Sequence, residues 1–175
     1  DLRPAANALA AWHEGHGRRA LVVDAQDVYD EFNAGIYHPK AIPALLKWAK
    51  TNWTAPAPAY LTLLGDGHWN FKGYNTAAYP APTIMIPPYL AFVDPWQGEV
   101  PADMLYAELT GDAQPDIAVG RLPASNLSEA WTMVNKVINF DESLRSADWQ
   151  RTALFIADNN DGSNFPELSD DIIEA

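Results

Sequence analysis

Apolar residues along this chain follow two spacings, one typical of buried strands and one typical of amphipathic helices. Short apolar runs predict strands over 20–23, 60–64, 116–120 and 153–157, with a further short strand near 83–86. Helical spacing predicts helices over 2–16 and 24–32, a third that opens at Pro39, a fourth from about Asn126 and a fifth at the end of the chain. Strands therefore alternate with helical crossovers.

The fourth predicted helix has the clearest start signal. Asn126 is followed three residues later by Glu129, a spacing that satisfies the free N–H groups of a first helical turn. The face expected to point toward the core holds Leu127, Trp131, Val134, Val137 and Ile138.

This alternation predicts an α/β fold with a mainly parallel sheet of about four strands and helices on both faces. In such a sheet the loops that follow the strands gather at one edge, where ligands usually bind. Four of these loops are polar or acidic here, namely Asp24, 65–68, 120–121 and 158–161.

Composition and length narrow the classes of protein to which the chain can belong. The 48% of hydrophobic residues excludes disorder, and 175 residues are the size of one domain, over 1–175. Eleven basic against 23 acidic residues give a net charge of -12, which argues against nucleic acid and anionic membranes as partners. No apolar run approaches the length of a membrane span.

The chain has no cysteine. A disulfide scaffold, a thiolate zinc site and a cysteine nucleophile are therefore excluded within these residues.

Two of the strand-end loops carry candidate site residues. Asp66 and His68 follow the strand at 60–64, where His68 could act as a base or a ligand, although the glycines around Asp66 equally indicate a tight turn. No nucleophile is identifiable as a partner for His68. Arg121 could hold a substrate carboxylate, but an internal salt bridge with Asp66 or Asp103 is the more favoured interpretation in so acidic a chain.

A third loop resembles a calcium site through Asp158, Asn160 and Asp161. The EF-hand spacing fails, because serines stand where that motif needs glycine and a carboxylate. A calcium site of another type stays open as a structural ion, and no cofactor is required. The favoured alternative is a turn, rich in Asp and Asn, that caps the following helix.

The order of segments carries a family resemblance. The runs 28–32, 39–42 and 60–67 are followed by 87–89, by 102–106 and then by the PDIAVGRLP block at 115–123. This order resembles the first half of the catalytic domain of the gingipain-type cysteine peptidases, family C25.

The resemblance implies a caspase/Rossmann-like three-layer sandwich, of which this chain is the N-terminal subdomain, truncated at its C-terminal end. It also implies that the His/Cys dyad lies in a second, C-terminal catalytic subdomain, which is absent here and would be a partner of this one. The expected role is one wall of the cleft for a polypeptide substrate, in an extracellular or cell-surface enzyme. This fragment alone is expected to be inactive.

The resemblance further places Asp103 on a segment that binds a basic P1 side chain in arginine-specific members, so Asp103 is a candidate partner for substrate Arg or Lys. A structural role for this acid is an equal alternative. Two other functions stay open: a catalytically inactive C25-like scaffold or binding domain of an exported protein, and an unrelated acidic binding domain with a calcium-stabilised loop.

Overall fold

The computed structural model describes residues 1–74, 77, 86–143, 151–157 and 164–174. The chain divides into two compact units, Asp1–Asn139 and Phe140–Ala175. The predicted single subdomain over 1–175 stays a prediction.

The elements follow one another in a mixed α/β order. The helices are α1 (Arg3–Gly15), α2 (Ala25–Phe32), α3 (Ala41–Asn52), α4 (Leu127–Ser143) and α5 (Phe165–Glu174). The strands are β1 (Tyr60–Leu64), β2 (Leu90–Asp94), β3 (Gly98–Pro101) and β4 (Ala118–Leu122), and a 3-10 helix covers Asp103–Tyr106. All five predicted helices are present, with ends that differ by a few residues at most.

The sheet is smaller than predicted. β1 and β4 form a two-stranded parallel sheet in which Tyr60 is opposite Ala118 and Leu64 is opposite Leu122. β2 and β3 form a separate antiparallel pair that the sequence did not predict. The mixed α/β class with a parallel sheet is confirmed, whereas a four-stranded sandwich is not.

Two predicted strands are wrong. Residues 20–23 and 153–157 have no strand pairing, and Leu21, Leu154 and Ile156 are mostly exposed. A short apolar run becomes a strand only beside another strand that takes up its backbone hydrogen bonds, and no described strand lies beside either run. Of the predicted strand near 83–86, residues 83–85 lie outside the described residues.

Helices cover both faces of the parallel sheet. Leu63 of β1 packs in a cluster with Val28, Tyr29, Ile42 and Leu46 from α2 and α3. Its neighbour Leu64 packs against a second cluster, formed by α1, α4 and the residues before α4. The buried members of that second cluster are Leu2, Ala5, Leu9, Ala124, Ala130 and Val134. Successive strand residues point to opposite faces, so adjacent leucines serve two cores.

The predicted start of α4 is confirmed. The Asn126 side-chain oxygen accepts from the Glu129 backbone N–H at 3.0 Å, and the Glu129 carboxylate accepts from the Ser125 N–H at 2.8 Å. On the predicted inward face, Val134 is fully buried, but Leu127 is 37% exposed and does not belong to the core. Leu127 is the first residue of α4 and therefore lies at its N-terminal end.

Asp24 caps α2. Its side chain accepts from the Gln26 N–H at 2.8 Å and pairs with Arg3. These hydrogen bonds, the one from the Gln26 backbone first, hold the pKa of Asp24 below its ordinary value. The polar residue at position 24 therefore serves the start of α2 and follows no strand.

In the second unit, α5 exposes much of its apolar surface, including Phe165, Leu168 and Ile172. None of the described helices is long and apolar enough to cross a membrane.

Candidate functional site

Arg121 lies within β4, opposite Leu63 of β1, and not in the loop after the strand as its sequence position suggested. Its side chain is only 14% exposed. A guanidinium buried this far is destabilising unless its donors are paired. The arrangement around it therefore decides whether it can act on a ligand.

Two of these donors pair with Asp103, the first residue of the 3-10 helix. Arg121 Nε donates to Asp103 Oδ2 at 2.6 Å, and Nη2 donates to Oδ1 at 3.0 Å. This is the two-pronged geometry that makes an arginine–carboxylate pair strong. The internal salt bridge that was the favoured interpretation for Arg121 is present, with Asp103 and not Asp66 as the partner.

The remaining donors of Arg121 hold backbone carbonyls of two loops. Nη1 donates to Gly65 O at 2.9 Å and to Ile86 O at 3.1 Å, while Nη2 also donates to Pro87 O at 3.3 Å. We call Arg121, Asp103 and these three carbonyls the Arg121 network. Burial lowers the pKa of Arg121, but the hydrogen bonds and charge of Asp103 outweigh it, so the net shift is upward.

The chain changes direction directly after β1 in a bend at Gly65, without the hydrogen bond of a tight turn. Gly65 has φ 148, and the Gly67 Cα approaches the next loop so closely that an added Cβ would lie 2.7 Å from Ile86 O. The Asp66 carboxylate stays within this bend, where it accepts from the Gly67 N–H at 2.8 Å and from Ser125 Oγ at 3.2 Å. Asp66 therefore ties the bend to the segment before α4.

His68 stands at the end of this bend. Its Nδ1 accepts from the Asn70 N–H at 3.1 Å, so the neutral ring carries its proton on Nε2. None of the described serine or threonine hydroxyls hydrogen-bonds to His68, so the structure assembles no nucleophile–base pair there. Asn70 is itself buried and donates to the Tyr74 carbonyl.

A cluster of tyrosines lies beside the Arg121 network. The sequence analysis did not identify these tyrosines as part of a site. The Tyr106 hydroxyl donates to Pro87 O, the same carbonyl that Arg121 reaches. The hydroxyls of Tyr29 and Tyr37 are buried with no hydrogen-bond partner among the described residues. Burial raises the pKa of Tyr37 to about 12, even though the charge of Arg121 acts in the opposite direction.

The candidate calcium ligands Asp158, Asn160 and Asp161 lie outside the described residues. Within the part of the chain that the structure covers, no group of three or more His, Asp or Glu side chains is placed to hold a metal ion. The calcium site stays a prediction.

The family model of peptidase family C25 matches residues 1–175. The chain belongs to peptidase family C25. The family resemblance expected from the order of segments is confirmed.

Among solved structures, the crystal structure of dimeric latent PorU from Porphyromonas gingivalis matches with a TM-score of 0.63 and 24% identity. The match covers 91% of this C25 chain but only 17% of the PorU chain. Identity at this level shows a shared fold alone. A search of curated proteins finds no match.

Proposed function

We propose that this chain is the part of a C25 cysteine endopeptidase that forms one wall of the substrate cleft and supports a second, catalytic subdomain. The observation that carries the proposal is the family match over residues 1–175 in a chain without cysteine. The thiolate that attacks the peptide bond must then come from elsewhere in the protein. The substrate is a polypeptide, and the enzyme is extracellular or on the cell surface, as the family resemblance implies.

The geometry supports a structural part for Asp103 in this wall. Both of its carboxylate oxygens accept from Arg121, so a basic P1 side chain would have to compete with a two-pronged internal pair. We propose that Asp103 fixes Arg121, and through it the loops at Gly65 and at Ile86–Pro87. Selective loss of cleavage after Arg and Lys in Asp103→Asn, with other substrates unaffected, would instead assign P1 binding to Asp103.

The test is covalent labelling of the full-length protein with a thiol-directed peptidyl probe, followed by mapping of the labelled residue. We expect a single labelled cysteine outside residues 1–175. A matched control uses protein alkylated with iodoacetamide beforehand, which should take up no probe. Absence of labelling in the untreated protein would contradict the proposal and favour a catalytically inactive scaffold.

A further inference from the structure

A cleft separate from the Arg121 network opens between the residues before α3 and the 69–74 loop. It has a volume of about 500 Å³, within the range of small-ligand sites. The side chains that matter for its chemistry are His38, Lys40, Trp69, Phe71, Lys72 and Tyr89. We call these six residues the cationic cleft.

The first feature of the cationic cleft is positive charge without a partner. Lys40 and Lys72 form no ion pair with any residue that the structure describes. One carboxylate, that of Glu99, also lines the cleft, and no contact joins it to either lysine. In a chain of net charge -12, two lysines facing one acid are a local excess of positive charge.

The charge of the cleft comes from its lysines and not from the start of α3. α3 begins at Ala41, directly after Lys40, with no side-chain cap and no acidic residue in its first turn. The N–H groups of Ala41 and Ile42 donate to the carbonyls of His38 and Pro39, and neither Ala41 nor Ile42 lines the cleft. The His38 Nδ1 accepts from the Lys40 N–H at 3.2 Å, so the neutral ring carries a donor at Nε2.

The second feature is aromatic surface. Trp69 is 54% exposed, and Phe71 and Tyr89 line the same space. The Lys72 ammonium stands 5.9 Å from the centre of the Phe71 ring, so the charge and the ring face one another across a cation–π distance. A ligand that satisfies both features needs an anionic group next to a flat or apolar one.

We propose that the cationic cleft binds a peptide segment in which an acidic side chain adjoins an aromatic one. Lys40 and Lys72 would hold the carboxylate, and Trp69 with Phe71 would contact the ring. That the ligand is a peptide rests on the proposed function, since a peptidase presents its surface to polypeptides, whereas the preference for an anion beside a ring rests on the cleft itself.

The test measures binding of three acetylated and amidated peptides, Glu-Phe-Glu, Gln-Phe-Gln and Glu-Ala-Glu, by isothermal titration calorimetry. We expect the Kd of Glu-Phe-Glu to be at least about 10-fold lower than that of either other peptide, the ratio expected for one lost charged hydrogen bond or one lost ring contact. Raising NaCl from about 50 to about 300 mM should weaken this binding, because salt screens exposed charges. Equal binding of the three peptides would overturn the proposal.

Two variants on separate elements localise the site. Lys40→Gln and Lys72→Gln should each raise the Kd of Glu-Phe-Glu about 5-fold or more, because each removes one ammonium group that would bind the peptide carboxylate. Lys47→Gln is the matched control, because Lys47 is an exposed lysine of α3 that does not line the cleft, and it should bind as the unmodified chain does. Unchanged binding in both cleft variants would contradict the proposal.

This experiment is independent of the thiol-labelling test, since peptide binding requires no catalytic cysteine. Selective binding together with absent labelling would leave the cleft proposal intact and remove only the enzymatic function. Labelling without selective binding would keep the enzymatic function and overturn the cleft proposal. An aromatic dicarboxylate such as phthalate serves as the non-peptide arm, and binding as tight as that of Glu-Phe-Glu would overturn the assignment to a peptide.

Discussion

Arg121 and Lys72 are both cations in a chain with 23 acidic and 11 basic residues, yet their surroundings are opposite. Arg121 is 14% exposed, paired with Asp103, and bonded to three backbone carbonyls. Lys72 is exposed, forms no ion pair with any described residue, and lies 5.9 Å from the ring centre of Phe71. The first cation has its donors filled from within the chain, whereas the second has them available.

The pairing of a cation decides whether it stabilises the fold or is available to a ligand. A buried, fully paired arginine holds segments together and can bind a ligand only by giving up an existing partner. Exposed lysines that form no ion pair contribute little to folding and can bind a ligand at low cost. Substitutions in the Arg121 network should therefore lower the free energy of unfolding more than substitutions in the cationic cleft.

The largest effect is expected from Arg121→Gln. This change leaves the Asp103 carboxylate and the Gly65 and Ile86 carbonyls without their donor, whereas Pro87 O keeps the Tyr106 hydroxyl. The loss should cost about 3–5 kcal/mol of the free energy of unfolding, as breaking a buried ion pair does. Urea unfolding followed by tryptophan fluorescence measures it.

Lys50→Gln is the matched control for this change. Lys50 pairs with Asp116 at 3.0 Å, but its side chain is 47% exposed, so the loss should stay below about 1 kcal/mol. Similar losses in the two variants would show that the Arg121 network is no more structural than a surface pair.

A smaller effect is expected from Gly67→Ala. The new Cβ would lie 2.7 Å from the Ile86 carbonyl oxygen, so the bend after β1 and the loop at Ile86 must move apart. Strain of this kind costs about 1–3 kcal/mol. Thermal unfolding monitored by circular dichroism measures the change.

Gly120→Ala is the control for this substitution, since a Cβ there would meet nothing within 4 Å. We expect its stability to stay within about 0.5 kcal/mol of the unmodified chain. A loss as large as that of Gly67→Ala would mean that close approach to Ile86 is not the cause.

The smallest effect is expected in the cationic cleft. Burial, then the charges of Lys72 and Lys40, hold the pKa of His38 below 6.5. Because the pKa of His38 is lower in the folded chain, the unfolded chain takes up a proton at His38 first as the pH falls. The free energy of unfolding therefore decreases as the pH falls through the ordinary pKa of histidine. Lys72→Gln should raise the pKa of His38 toward 6.5 and reduce that decline, while stability at pH 8 changes by no more than about 0.5 kcal/mol.

An NMR titration of the His38 ring protons measures this shift. Glu99, the one carboxylate that lines the cleft, is unchanged in the variant and so does not confound the comparison. A His38 pKa that does not move would contradict the placement of Lys72 as an effective neighbour.

The sequence predicted local features well. The Asn126 and Glu129 cap of α4 and the helix predicted over 24–32 both depend on residues close together in the chain, whose spacing alone specifies the geometry. Family membership followed from the order of several such segments.

The features that the sequence analysis predicted wrongly or missed depend on partners distant in the chain. The run at 20–23 has strand composition but no strand beside it, while the β2–β3 hairpin lies in a proline-rich stretch that read as a loop. The carbonyls that Arg121 holds come from residues 34 to 56 positions away, so no local spacing could reveal them. The cationic cleft likewise joins the 38–40 and 69–74 segments, which are distant in sequence.

The central claim is that Arg121 and Asp103 serve each other within the fold. The most direct test is a double-mutant cycle in urea unfolding with Arg121→Gln, Asp103→Asn and both together. We expect the double variant to lose at least about 1 kcal/mol less than the sum of the single losses, because Asp103→Asn removes the carboxylate that Arg121→Gln leaves buried and unpaired. Additive losses would show that the two side chains do not depend on each other and would contradict the claim.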